Sequence, residues 1–229
     1  MLPVPDIIDG GCDIERRIAV SPAGAPVGHT GGVPPDITLT WPDAWSDDLA
    51  TGVHRVVHDV VADGGAVGWA VPPGQDETDA WLAGVLADVA RGDGRLCVAV
   101  DRSGPVGLGS WRRDQGALLR HRATATKIMA RPDRRGLGIG RLVTSALVDD
   151  ARAAGIETLH LASRGNNLGA IALYEDLGFT VWGILPDAIE VADERYDEVH
   201  LSMALGRPAG VRLRGSGPGG PGSSPRPAG

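Results

Sequence analysis

Arg131-Pro132-Asp133-Arg134-Arg135-Gly136-Leu137-Gly138-Ile139-Gly140-Arg141 follows the strand-like run Thr124-Ala125-Thr126-Lys127-Ile128-Met129. Behind it Leu142, Val143, Ala146, Leu147 and Ala151 recur at three- and four-residue steps. The whole reads as a strand, a glycine-rich turn and an amphipathic helix. Such a turn aims several backbone N–H groups at one anion, and the helix dipole adds about half a positive charge there. Phosphate is the natural ligand. Gly136, Gly138 and Gly140 permit positive φ and close backbone approach, while Arg135 and Arg141 bring positive charge. Two nucleotide loops fail on detail. A Walker loop needs Gly-Lys followed by Ser or Thr, which is missing. The dinucleotide fingerprint spaces its glycines as G-x-G-x-x-G and closes the next strand with an acid. Here the glycines alternate and Leu159-His160-Leu161-Ala162 runs into Ser163. Taken alone, the segment could also be a glycine turn that merely lets a helix pack on a strand.

Outward from this junction the hydrophobic period keeps switching, the pattern of a mixed α/β domain. Ile37 to Trp41 alternates as a strand. Ser46, Asp47 and Asp48 supply a cap and first-turn acids for a helix carrying Leu49, Val53, Val56, Val57, Val60 and Val61, ending near Gly64-Gly65. A second helix is expected from about Glu77 to Ala90, then strands at Arg95–Asp101 and Pro105–Arg113 joined by Arg102-Ser103-Gly104. Leu118 to Ala130 reads as one long strand-like stretch. Residues 1–35 and 207–229 are rich in Gly and Pro and are expected to be a flexible arm and a disordered tail around one domain, 36–206.

The chain has 229 residues, a net charge of -7 and 42% hydrophobic residues, enough for a real core. That charge disfavours nucleic acid, whose affinity comes from Lys and Arg neutralising phosphates. Cys12 and Cys97 match no disulfide framework or zinc spacing. No apolar run approaches the ~20 residues of a membrane span, and the N-terminus carries no signal-peptide pattern, so a cytoplasmic protein without a membrane partner is expected. His54 and His58 lie one turn apart but lack an evident third ligand, so no metal is expected. Trp45, Trp69 and Trp81 could line an acceptor pocket or simply pack in the core.

Arg135, Gly138 and Gly140 match the R/Q-x-x-G-x-G/A signature of the GNAT acyltransferases, with Pro132 before and Leu142 after. Asn167-Leu168-Gly169-Ala170-Ile171-Ala172-Leu173-Tyr174-Glu175-Asp176-Leu177-Gly178-Phe179 is similar to the family's second motif, N-x-x-A-x-x-L-Y-x-x-L-G-F. The resemblance is strongest from Ala125 to Trp182. A weaker one, to the tabtoxin-resistance type of acetyltransferase, rests on His121-Arg122-Ala123, Lys127-Ile128-Met129 and Gly183-Ile184-Leu185-Pro186.

This resemblance implies a central twisted mixed sheet flanked by helices, and direct acetyl transfer from acetyl-CoA to a primary amine in a ternary complex. The implied acceptor is a small molecule, amino-acid-like or an antibiotic. The alternatives are a protein N-terminus or lysine, or a CoA sensor without turnover. A homodimer is compatible with the family. The resemblance places the pantetheine arm on the edge Ile128, Met129 and Ala130 between two splayed strands, and the pyrophosphate on Arg135, Gly136, Leu137, Gly138, Ile139, Gly140 and Arg141. Asn167 would reach the pantetheine amides or only cap its helix. Tyr174 is the candidate general acid, since a phenol of pKa ~10 is protonated at neutral pH, although it could instead be a core residue against Phe179. Glu198 is the chosen base, with Glu190, Asp197, His200, His121 and water as alternatives. Neither Cys97 nor Cys12 lies in a motif that would make it a covalent carrier.

Overall fold

A computed structural model describes residues 36–65 and 67–206; the expected arm and tail lie outside the described residues. The elements in order are β1 (Thr38–Thr40), α1 (Asp47–Ala62), α2 (Gln75–Ala90), β2 (Gly94–Asp101), β3 (Gly104–Arg113) and β4 (Arg122–Ala130). After a 3-10 turn at Pro132–Arg134 come α3 (Ile139–Ala153), β5 (Thr158–Arg164), α4 (Leu168–Asp176), β6 (Thr180–Val191) and β7 (Glu194–Ala204). One seven-stranded sheet runs in the order β1-β2-β3-β4-β5-β7-β6. Every neighbouring pair is antiparallel except β4 with β5.

Period-two alternation gives the sheet a core on each face. Along β2, Leu96 and Val98 meet the helix pair α1–α2, where Val53, Val56, Val57 and Leu82 are fully buried. Cys97 and Ala99 turn to the other face and join Ile139, Val143 and Leu147 of α3 with Leu159 and Leu161 of β5. α1 starts where its cap allows: the Ser46 hydroxyl accepts from Leu49 N at 3.2 Å. α2 begins two residues earlier than the sequence suggested, because Gly74 N donates to the Glu77 carboxylate at 2.9 Å and so fixes the first turn.

The stretch from Leu118 to Ala130 needs correction. β4 starts only at Arg122, and Leu118 is 89% exposed. Leu119 N donates to Gly116 O and Arg122 N to Leu119 O, so local turn bonds consume the groups that a strand would have offered its neighbours. Apolar residues at a turn imitated the strand pattern.

Helix α3 approaches the sheet closely because β3 carries two glycines beneath it. A Cβ at Gly107 would lie 2.5 Å from Ile139 Cγ2 and 2.9 Å from Met129 O. One at Gly109 would lie 2.9 Å from both Leu147 and Val143 methyls. Gly107→Ala and Gly109→Ala are therefore expected to destabilise the fold by about 1–3 kcal/mol each through overpacking, read as a lower urea midpoint at unchanged slope.

Candidate active site

Strands β4 and β5 pair at only three positions, Arg122 with Thr158, Ala123 with Leu159 and Thr124 with His160. Beyond Thr124 they part. On its other side β4 carries a bulge: Leu108 faces Met129 and Ser110 faces Thr126, so β4 has one more residue than β3. Lys127 absorbs the excess with φ 57°, an uncommon conformation for a side chain with a Cβ. The parting opens a cleft of about 820 Å³. Its walls are the edge Lys127–Ala130, the end of β5 at Ser163 and Arg164, Asn167 and Tyr174 of the α4 region, and the α1–α2 connection at Val67–Trp69. Arg135, Gly140, Glu190 and Glu198 also border it.

The glycine loop sits at one end of this cleft. Gly136 and Gly138 have φ of 78° and 74°, and Gly138 is the N-cap of α3. Leu142 N donates to Gly138 O, which leaves the first-turn N–H groups of Ile139, Gly140 and Arg141 without an intrahelical acceptor. Ile139 anchors the turn in the core at 1% exposure, and Leu137 packs beside it. The preceding turn is tied down by Arg134 Nε donating to Asp101 Oδ2 at 3.0 Å. The Ser103 hydroxyl, with help from Ser103 N–H and Arg134, holds the Asp101 carboxyl down at about 2. Its stabilising effect is thus present above the ordinary carboxylate range and is lost as pH falls toward 2.

The two loop arginines are not free. Arg135 pairs with Asp63 beyond the end of α1, and Arg141 with Asp176 at 2.8 Å. Both pairs are substantially exposed, so each is worth only about 0.2–1 kcal/mol and can yield to a phosphate.

Tyr174 combines the two environments weighed from the sequence. It borders the cleft, and its ring packs edge-on against Phe179 with centroids 6.0 Å apart. Burial pushes its phenol up to about 12. Asn167 likewise borders the cleft while its side chain accepts from Ala170 N at 3.4 Å.

Of the candidate bases, Glu198 and Glu190 reach the cleft. Glu198 Oε2 lies 3.1 Å from His200 Nε2, and Glu190 is paired with Arg195. Asp197 accepts from Asp187 N at 3.1 Å, and His121 lies in the turn before β4, at the paired end of the strands. Neither is in the cleft wall. His54 shares a hydrogen bond with Thr78 at 3.0 Å, and among the described residues no group of three His, Cys, Asp or Glu is placed to hold a metal ion. Trp69 borders the cleft with Trp81 edge-on behind it, whereas Trp45 lies 44% exposed beside Asp47. Cys97 is fully buried, and desolvation, then Asp150, pushes its thiol up to about 12, which suits packing and not nucleophilic chemistry.

Sequence reasoning missed two cations in the wall. Lys127 Nζ donates to Val67 O and lies 4.1 Å above the Trp69 ring, and its desolvation lowers its pKa. Arg164 donates to Gly64 O at 3.1 Å, with its guanidinium 4.9 Å over Tyr196. A charged residue immediately before the Ile128–Ala130 edge was the available signal for Lys127.

The model described as the acetyltransferase (GNAT) family matches residues 64–179, just over half of the chain. The chain belongs to the GNAT acetyltransferase family. Among relatives of this GNAT protein, the [Ribosomal protein bS18]-alanine N-acetyltransferase of Escherichia coli is 35% identical over 83 residues, 36% of this chain. The chain spans only 56% of that relative's length. The L-methionine sulfoximine/L-methionine sulfone acetyltransferase of Pseudomonas aeruginosa is 30% identical over 149 residues, 63% of this chain and 81% of the relative. The GNAT fold is shared with an N-acetyltransferase of Staphylococcus aureus, with TM-score 0.65, 17% identity and coverage of 74% of this chain and 99% of that one. It is shared too with a GNAT superfamily phosphinothricin acetyltransferase of Sinorhizobium meliloti in complex with AcCoA, with TM-score 0.63, 23% identity and coverage of 75% and 89%.

The buried phenol gives this GNAT chain a measurable signature. A raised folded pKa means that the neutral Tyr174 is favoured in the native state. Its contribution is full below about pH 10 and is lost as pH rises toward 12. Of the two tyrosines, Tyr174 should ionise near pH 12 in an ultraviolet phenolate titration, and Tyr174→Phe should remove that late step.

Proposed function

We propose that the protein transfers the acetyl group of acetyl-CoA to an amine carried on an amino-acid unit, by direct attack within a ternary complex. The observation that carries this reading is the parted β4 edge, which leads from the glycine loop to Tyr174 along one cleft. The first-turn N–H groups of α3 receive the pyrophosphate, with Arg135 and Arg141 exchanging their exposed carboxylate partners for phosphate. The backbone of Ile128, Met129 and Ala130 pairs with the pantetheine amides, assisted by Asn167. An N–H beside the Lys127 bulge faces the thioester oxygen and stabilises the negative charge that develops there.

Chemistry begins when Glu198, directly or through water, takes a proton from the ammonium form of the acceptor. The neutral nitrogen attacks the thioester carbon, and as the tetrahedral intermediate collapses and the C–S bond breaks, its second nitrogen proton passes to the departing CoA thiolate, directly or through solvent. Tyr174 stands by the sulfur as a hydrogen-bond donor. Its phenol is raised to about 12, while a thiol sits near 8.5, so complete proton transfer from Tyr174 runs uphill and the thiolate takes its proton from the nitrogen or solvent. In this reading Tyr174 serves as a hydrogen-bond donor that stays protonated throughout.

The acceptors in the relatives' names, an alanine of ribosomal protein bS18 and L-methionine sulfoximine or sulfone, are amino-acid units. These names speak for an amine on an amino-acid unit, free or at the end of a protein, over an antibiotic or other small amine lacking that unit.

Thermal unfolding with and without acetyl-CoA tests the cofactor assignment. At 100 times its dissociation constant the ligand should add roughly 2.7 kcal/mol of stability, and the double substitution Gly138→Asp, Gly140→Asp should abolish the gain. Tyr174→Phe should keep the gain and lower kcat about 10²-fold with little change in KM. No stabilisation at saturating acetyl-CoA would refute the assignment.

A further inference from the structure

The wall of the cleft holds two cations that reach the same piece of chain from different strands. Lys127 enters from the β4 bulge and donates to Val67 O, and Arg164 enters from the end of β5 and donates to Gly64 O. Both contacts fall on the α1–α2 connection, three residues apart, so the two charged groups converge on one side of the cleft. Neither has a carboxylate partner among the described residues, whereas Arg131, Arg134, Arg135 and Arg141 around the glycine loop are all ion-paired. Each also keeps unused donors. Arg164 Nε is buried with no hydrogen-bond partner among the described residues, and the ammonium of Lys127 has three protons of which the Val67 carbonyl accepts one. The remaining neighbours are aromatic faces, Trp69 under Lys127 and Tyr196 under Arg164, which position a cation without neutralising it.

Directly across the β5–β7 ladder from Arg164 stands Glu198. Its carboxylate contacts His200 and makes no direct ion pair with the guanidinium. A half-buried donor pair that lacks an anion is costly unless a ligand supplies one.

We propose that Lys127 and Arg164 bind a free carboxylate on the acceptor, with the acceptor's amine directed to Glu198, so that the preferred substrate is a zwitterionic α-amino acid and not a peptide N-terminus. The two cations select the substrate and orient it, and the bond-making steps are those described above. This proposal rests on the acyl-transfer reading and narrows its acceptor. A peptide N-terminus offers the same amine, but its neighbouring carbonyl is an amide, which carries no charge for the pair.

The test compares CoA thiol release by the full chain with free α-amino acids, L-methionine sulfone among them, against their C-terminal amides and a short peptide beginning with alanine. Free acids should exceed amides and peptide by about tenfold or more in kcat/KM, expressed in KM, the size expected for losing a charged hydrogen bond. Arg164→Met should raise KM for the free acid by about tenfold and leave the amide KM nearly unchanged, and Lys127→Met should likewise reduce the preference for the free acid over its amide by about tenfold. Amides or the peptide reacting as well as the acids would overturn the proposal, as would variants that weaken acid and amide alike. The comparison on the unsubstituted protein decides the matter even if a variant fails to fold. If no amine is acetylated, thermal stabilisation by the free acid in the presence of CoA, absent with its amide, would uphold the carboxylate site and refute only the transfer reaction. Absence of both would refute the carboxylate site.

Discussion

Two parallel strands that pair through three residues and then separate set the geometry on which everything else in this chain depends. A sheet normally spends every backbone donor and acceptor on its neighbours. Here β4 leaves its outer edge beyond Thr124 unpaired, and the bulge at Lys127 bends the strand at that point. The cost is met by packing on both faces. α1 and α2 clamp Met129 and Leu108 from one side, and α3 holds Ala123 and Ala125 from the other.

The same arrangement explains why the charges lie where they do. Each end of the cleft has its own electrostatic character. At the glycine loop, positive potential comes from backbone N–H groups and the α3 dipole, and the arginines there rest in exposed pairs that a polyanion can displace. Toward the β6–β7 hairpin, charge sits on side chains, with Glu198 across from Arg164 and Lys127 in the same cleft wall. A net charge of -7 over the chain therefore coexists with cations placed in the cleft wall, and it is the local field that bears on an anionic ligand.

How much of this was legible in the sequence depended on the range of the interaction. Positive φ at Gly136 and Gly138 is a local demand that only certain residues meet cheaply, so the glycine turn ahead of α3 could be read directly. The cap at Ser46 and the valine stripe of α1 are local as well, and both elements form where the pattern put them. That Lys127 is the residue carrying the bulge was not legible, because its left-handed conformation is imposed by register against β3 and no glycine marks it. Arg164 was missed for a related reason. Its role follows from which strand lies across from it and from a connection 100 residues away in the chain. Leu118 and Leu119 misled in the opposite direction, since hydrophobicity alone does not distinguish a strand from an apolar turn left at the surface.

The central claim is that the parted edge of β4 and the first turn of α3 form one continuous binding surface for acetyl-CoA. Amide hydrogen exchange with and without CoA tests it most directly, because the β4 N–H groups facing the gap and those of the first turn of α3 are left without partners in the fold. The account predicts that CoA slows exchange at Ile128–Ala130 and at Gly138–Arg141 together, with little change in the strands of β2 and β3. Protection confined to one of the two segments, or appearing elsewhere in the sheet, would contradict it.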